Sequence, residues 1–202
     1  MKKFYCIRHG KALHNVLYPL IGNVAYTDKA YIDTPLVDEG IYQAEKLALS
    51  WKEKNKIDIV YVSPLTRTLE TALHIFKNTD VKIVANEEII EYSQGEEYCN
   101  FRKKKSELIE KYPRVDFSLL EESPKYWNNN RLETFEELKQ RDQIFKNILK
   151  EDTNKKICIV SHNTYLKQFL FGFVDSLDEK QELQHCFPYE RTFDENKINQ
   201  NI

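Results

Sequence analysis

Three short stretches of the chain concentrate side chains that bind anions or attack them: Arg8-His9-Gly10, Ser63-Pro64-Leu65-Thr66-Arg67 and Ser161-His162-Asn163. A fourth, Glu87-Glu88-Ile89-Ile90-Glu91, adds three carboxyl groups. Guanidinium forks bind phosphate oxygens through paired N–H bonds, and N–H groups at a helix start add further donors. An imidazole held in line can attack phosphorus, and an acid on the opposite side can protonate the leaving oxygen. Two arginines, two histidines and a carboxylic acid brought to one place would therefore suit chemistry at a phosphoryl group. Taken singly, each residue has a plainer reading. His9 could be a strand end paired with a carboxylate, and acidic residues are common in loops. Arg67 is the odd one, because a cation in the first turn of a helix faces the positive end of the helix dipole. A nearby anion would account for it.

The elements that must gather these residues are legible as alternating apolar runs and helical spacings. Phe4 to Arg8, Ile57 to Ser63, Val81 to Ala85 and Lys156 to His162 read as buried strands. Apolar residues recur every three or four positions over Asp38 to Lys54, Thr66 to Phe76 and Thr134 to Lys150, and Tyr165 to Phe173 reads as a short, strongly apolar helix. The strand runs lack the alternation of a half-exposed sheet, so both faces need cover. The expected fold class is α/β: a three-layer sandwich with a mainly parallel central sheet and helices on both faces. In such sheets ligands gather at the carboxyl ends of strands, where each of the four stretches begins. Ser63 and Pro64 read as the cap and first turn of the following helix.

A length of 202 residues suits a single domain. Residues 94–130, with a basic run (Arg102, Lys103, Lys104, Lys105), Pro113, Pro124 and an asparagine run, read as an insertion over the sheet and active site with one helix at about 101–111. The polar tail 194–202 reads as flexible. The 30 basic and 32 acidic side chains nearly cancel, so nucleic acid and membrane are not expected partners, and any anion must be held locally. No apolar run near the start is long enough for a signal peptide or a span. Cys6, Cys99, Cys158 and Cys186 are scattered and read as cytosolic packing thiols, not as a zinc site. The expected location is cytoplasmic, and no oligomeric state is assigned.

These segments, in this order, resemble the histidine phosphatase superfamily, the phosphoglycerate-mutase-like proteins. Arg8-His9-Gly10 is followed by the family's asparagine at Asn15, Leu36-Val37-Asp38-Glu39-Gly40 is similar to its Leu-Thr-x-x-Gly helix start, and Ser63 to Ala72 is similar to its Ser-Pro-x-x-Arg-x-x-x-Thr-Ala segment. The insertion resembles that of uncharacterised members from fungi and plants, and the likeness spans most of residues 3–190. It implies that His9 is the nucleophile, that Arg8, Arg67 and His162 hold the phosphoryl oxygens, and that Asn15 and Asn163 add hydrogen bonds. Glu91 best matches the family's proton donor, with Glu87 and Glu88 as alternatives. The implied activity is a metal-independent phosphomonoesterase without cofactor, acting on a small phosphorylated metabolite. A phosphoglycerate mutase-type phosphotransferase and a weakly active phosphate- or phosphoprotein-binding module are the rivals. Two departures stand out: Asn163 replaces the usual glycine, where it would cap the next helix, and Lys11 replaces a frequent glutamate. The stretch Glu91-Tyr92-Ser93-Gln94-Gly95 also lacks the arginine that follows the acid in cofactor-dependent mutases, which favours hydrolysis.

The remaining polar residues have structural expectations. His14 and His185 read as structural or exposed, and His74 as a half-buried helix residue. The run Arg102 to Lys105 reads as a solvated helix face or the mouth of the pocket, an ambiguity shared by Arg131 and Arg141. Tyr92, Tyr98 and Trp127 read as packing residues or as a wall against the leaving group.

Overall fold

Each of the four apolar runs forms a strand in the computed structural model, which describes residues 2–93, 95–126, 133–172 and 182–193. In chain order the elements are β1 (Lys2–Arg8), α1 (Leu13–Ile21), α2 (Val24–Thr27), α3 (Asp38–Ser50), β2 (Ile59–Val62), α4 (Thr66–Ile75), β3 (Lys82–Ala85), α5 (Lys105–Lys111), α6 (Phe135–Glu151), β4 (Lys156–Ser161), α7 (Asn163–Phe171) and β5 (Pro188–Phe193). The sheet order is β3-β2-β4-β1-β5, parallel except for β5, which pairs antiparallel with β1.

Successive strand side chains point to opposite faces, and both faces are dry. Tyr5, Ile7, Val60, Val62 and Val160 pack with Ala44, Leu47, Leu69, Ala72 and Phe76 beneath α3 and α4. Phe4, Cys6, Ile59, Tyr61, Ile157 and Ile159 pack with Leu138, Phe145, Leu166 and Phe169 beneath α6 and α7. This is the three-layer α/β sandwich that the sequence predicts. All four cysteines are buried thiols.

Several local expectations are corrected. Helix α3 stops at Ser50, and Lys52–Lys56 form a 3-10 turn. Helix α7 begins at Asn163, ahead of Tyr165, and Asn163 is its first residue and not its cap, the cap position falling to His162. The cap position of α4 falls to Leu65, itself extended at φ −78° and ψ 142°, so the helix starts at Thr66 and neither Ser63 nor Pro64 opens it. Its free donors are met from a distance: Asp33 accepts from the Thr66 N–H and hydroxyl, both at 2.7 Å. Asp33 does so in the left-handed region, at φ 47°. Burial pushes its carboxyl up to about 6 against the opposing Thr66 bonds. The tail 194–202, Trp127 and Arg131 lie outside the described residues.

The segment between β3 and α6 is fastened to the sheet. The Ala85 N–H donates to the Asp116 carbonyl and the Asp116 N–H to that of Ile83, so the segment extends the β3 edge. Arg102 is not on a solvated face: it is fully buried, forks onto both oxygens of Glu87 at 2.9 and 2.8 Å, and donates to the carbonyls of Lys103, Glu121, Glu122 and Ser123. Six acceptor oxygens around one guanidinium satisfy a charge that would otherwise be costly to bury. Arg141, equally buried, holds Glu133 and the carbonyls of Glu88 and Ile90, which fixes the turn after β3.

Candidate active site

Register brings the two histidines together. In the parallel β1–β4 pair, Arg8 lies opposite Ser161, so the next residues, His9 and His162, leave adjacent strand ends side by side. Their ring centroids are 5.2 Å apart, and both are buried. Strand β2 ends one position away: the Ser63 N–H donates to the Val160 carbonyl, and the Ser63 hydroxyl meets His162 Nε2 at 2.8 Å.

His9 is held in one tautomer. Its Nδ1 lies 2.7 Å from the Gly10 carbonyl, an acceptor only, so Nδ1 carries the proton. Nε2 keeps its lone pair and accepts from Arg67 Nε at 3.3 Å. Burial, then the Arg67 charge, holds the imidazole well below its ordinary protonation range. The ring is thus neutral, with its Nε2 lone pair engaged by Arg67 and not by a proton of its own, the state a nucleophile needs.

The glycine after it has a different reason from ligand approach. A Cβ on Gly10 would stand 2.5 Å from the Gly40 carbonyl oxygen, and one on Gly40 would stand 2.1 Å from that of Lys11. Two backbones touch there, so the Arg-His-Gly turn and the start of α3 need glycine at both places. The Gly10 N–H donates to the Thr71 hydroxyl on α4 at 2.9 Å.

The arginines are held from behind. Arg8 Nη1 donates to Glu182 and to the Leu183 carbonyl, both at 2.8 Å. Arg8 Nε and His162 Nδ1, both buried, have no hydrogen-bond partner among the described residues. Arg67, 1% exposed, donates from Nη1 to the Cys99 carbonyl and from Nη2 to Asn100 Oδ1, each at 2.7 Å. Burial lowers the pKa of its guanidinium, while the charges of Glu91, Asp33 and Glu97 act to raise it.

The three acidic candidates separate clearly. Glu87 is taken by Arg102, and Glu88 by Lys125 and the Tyr126 hydroxyl. Glu91 lies at the start of α7, where it accepts from the N–H groups of Tyr92 at 2.8 Å, Tyr165 at 3.1 Å and Thr164 at 3.3 Å. Asn15 Oδ1 closes the first turn of α1 on the Ala12 N–H. Asn163 Oδ1 accepts from the Leu183 N–H at 2.9 Å and ties down the loop before β5. Lys11 pairs with Glu39.

Two histidines with bland expectations belong to this neighbourhood. His14 is buried on the Thr34 hydroxyl, its ring centroid 6.1 Å from that of His9. His185 Nδ1 donates to the His9 carbonyl, with centroids 5.5 Å apart. Burial, then Arg8, brings its pKa down to about 4. His14, Cys99, Asn100 and His185 are thus the neighbours that sequence reasoning did not place here, and Ser63, placed at this edge as a helix cap, instead meets His162. Only Ser63 had a local signal, its position at a strand end beside Arg67. Tyr92 packs, stacked on Phe135 at 5.1 Å.

No group of three or more His, Cys, Asp or Glu side chains among the described residues is arranged to hold a metal ion, and no described helix is long and apolar enough to cross a membrane. In the alpha-ribazole phosphatase from Shigella flexneri the same fold recurs, with a TM-score of 0.65 and 22% identity over 98% of this chain and 92% of that one. The phosphoserine phosphatase 1 of Hydrogenobacter thermophilus is 27% identical over 168 residues, 83% of this chain and 74% of that protein. The phosphoglycerate mutase-like protein 1 of Arabidopsis thaliana is 32% identical over 196 residues, 82% of this chain and 69% of that protein. The profile of the histidine phosphatase superfamily (branch 1) matches residues 4–187, and with the fold and these relatives it shows that the chain belongs to that superfamily.

Proposed function

We propose that the protein is a metal-independent phosphomonoesterase that works through a phosphohistidine at His9. The observation that carries this reading is the state of His9: neutral, protonated on Nδ1, with the Nε2 lone pair facing an arginine. Arg8 Nε and His162 Nδ1, without partners among the described residues, supply sites for phosphoryl oxygens, and Asn15, its oxygen taken by the Ala12 N–H, adds its amide nitrogen. In the first step Nε2 forms a bond to phosphorus, the bond from phosphorus to the ester oxygen breaks, and Glu91 gives its proton to the departing alkoxide. In the second, water attacks phosphorus and passes a proton to Glu91, the P–N bond breaks, and inorganic phosphate leaves. Charge on the equatorial oxygens is met throughout by fixed N–H donors from Arg8, Arg67 and His162, the task a divalent ion performs in other phosphoryl-transfer sites.

The relatives named phosphoserine phosphatase and alpha-ribazole phosphatase support a small phosphorylated organic molecule as substrate. Incubation with 32P-labelled substrate and alkaline quenching tests the mechanism. Expected is a base-stable, acid-labile label on His9, phosphate release that survives EDTA, and loss of both in His9→Ala. A label on His162, or turnover by His9→Ala near the wild-type rate, contradicts the mechanism.

A further inference from the structure

We propose that Asn100, in the segment between β3 and α6, is a positioning residue that aims Arg67 at the reacting nitrogen of His9. This rests on the reading of His9 as nucleophile. Arg67 has a long, flexible side chain, and the residues of its own motif do not fix its far end. That end is fixed from the insertion: Asn100 Oδ1 takes Nη2 and the Cys99 carbonyl takes Nη1, both at 2.7 Å, leaving Nε to point at His9 Nε2 at 3.3 Å. Asn100 is itself oriented, because its amide donates to Glu97 Oε2 at 2.9 Å, so its oxygen and not its nitrogen must face the guanidinium. Arg67, Cys99 and Asn100 are all buried, so a misplaced guanidinium has no water to compensate it.

With both Nη groups anchored, the Nε–H can pass from the His9 lone pair to a phosphoryl oxygen by a small shift as the P–N bond forms. The groups that bear on His9 are Arg8 from its own strand, Arg67 from α4, His162 at the end of β4, His185 before β5 and His14 from α1. Of these, Arg67 alone is shown hydrogen-bonded to the nucleophilic nitrogen.

The test combines steady-state kinetics with an NMR pH titration of the histidine rings in wild type, Asn100→Ala and Asn100→Asp. Aspartate keeps an acceptor oxygen at the same reach but cannot donate to Glu97, so it is made together with Glu97→Gln, whose amide restores that bond. Asn100→Ala is expected to lower kcat/KM by about tenfold, mostly in kcat, as expected when a reacting group loses its alignment. His9 should titrate at higher pH in that variant, because the donor that protects its lone pair is loosened. Asn100→Asp combined with Glu97→Gln should stay within about threefold of wild type, since both the bond to Arg67 and the bond to residue 97 are kept. An unchanged His9 titration in Asn100→Ala overturns the proposal, as does a loss in the Asn100→Asp, Glu97→Gln double variant equal to that in Asn100→Ala. Should Asn100→Ala not fold, Asn100→Ser repeats the removal in a smaller polar side chain. A wild-type protein without turnover on any phosphate ester would sink the proposed activity, while the ring titration would still decide the role of Asn100.

Discussion

At the scale of single residues, the acid is the position where geometry narrows the choice most. Glu87 and Glu88 are committed to the side chains of Arg102, Lys125 and Tyr126, while Glu91 is held only by the backbone N–H groups of Tyr92, Thr164 and Tyr165 among the described residues, with its charge bearing on Arg67. Glu91→Gln is therefore expected to slow alkyl phosphate hydrolysis by roughly a hundredfold, and nitrophenyl phosphate hydrolysis far less, because a good leaving group needs little protonation. Equal losses on both substrates, measured as kcat/KM, would remove Glu91 from that role. Arg8, His9 and His162 were legible because each lies at or next to the end of a contiguous apolar run, and Arg67 because it lies in the first turn of the helix that follows such a run. Asn100 and His185 were not. They reach the site from the insertion and from the loop before β5, and no local spacing encodes such long-range contacts. Arg102 was misread for the same reason: three lysines beside it suggested a solvated face, whereas its bidentate partner lies fifteen positions upstream at Glu87.

Among the elements, the four parallel strands could be read from hydrophobicity because burial on both faces removes polar residues from them. Strand β5 escaped that reading, since it is an edge strand opening with Pro188 and carrying the exposed Glu190 and Arg191. Helix α1 escaped as well: Pro19 lies inside it, and a proline removes one helical hydrogen bond and argues against a helix. The contact between the first turn after β1 and the start of α3 is a backbone junction without room for a methyl group. Gly40→Ala is expected to destabilise the protein by about 3 kcal/mol, near the upper end of overpacking costs. Urea unfolding would measure it. A change below about 0.5 kcal/mol, the range of neutral surface substitutions, would mean that the junction relaxes freely.

For the molecule as a whole, the buried imidazoles set the response to acid. His9, His14, His162 and His185 all have pKa values lowered in the folded state, first by burial and then by arginine charge. In the unfolded chain they take up protons as pH falls through about 6.5, while the native state does not, so the unfolded state binds more protons and stability falls with falling pH. Asp33 works in the opposite direction. Its raised pKa of about 6 means that the native state binds a proton first between the ordinary aspartate range and pH 6, but one acid offsets only one of four imidazoles. The thermal midpoint is expected to drop steadily from pH 7 to pH 5. A midpoint that holds flat over that range would show that the ring cluster opens to water.

The pairing of β1 has a consequence in time. That strand is synthesised first, yet its neighbours are β4, where Phe4 meets Ile157, and β5, where Phe4 meets Arg191. The β2–α4–β3 unit, by contrast, closes within a short stretch of chain, with Ile59 opposite Lys82. Closing the long loop to β1 carries the larger entropic cost, so β1 should join after the local unit has formed. Pulse-labelled hydrogen exchange during refolding should therefore protect Val60 and Val62 before Tyr5 and Ile7, and simultaneous protection would show instead that the sheet assembles in one step. Until β4 emerges from the ribosome, Phe4 to Ile7 is an apolar strand with no partner in the sheet. The segment that delivers Arg8 and His9 is thus made before the other strands and is among the last of them to be sheltered, which makes it the strand most in need of a chaperone.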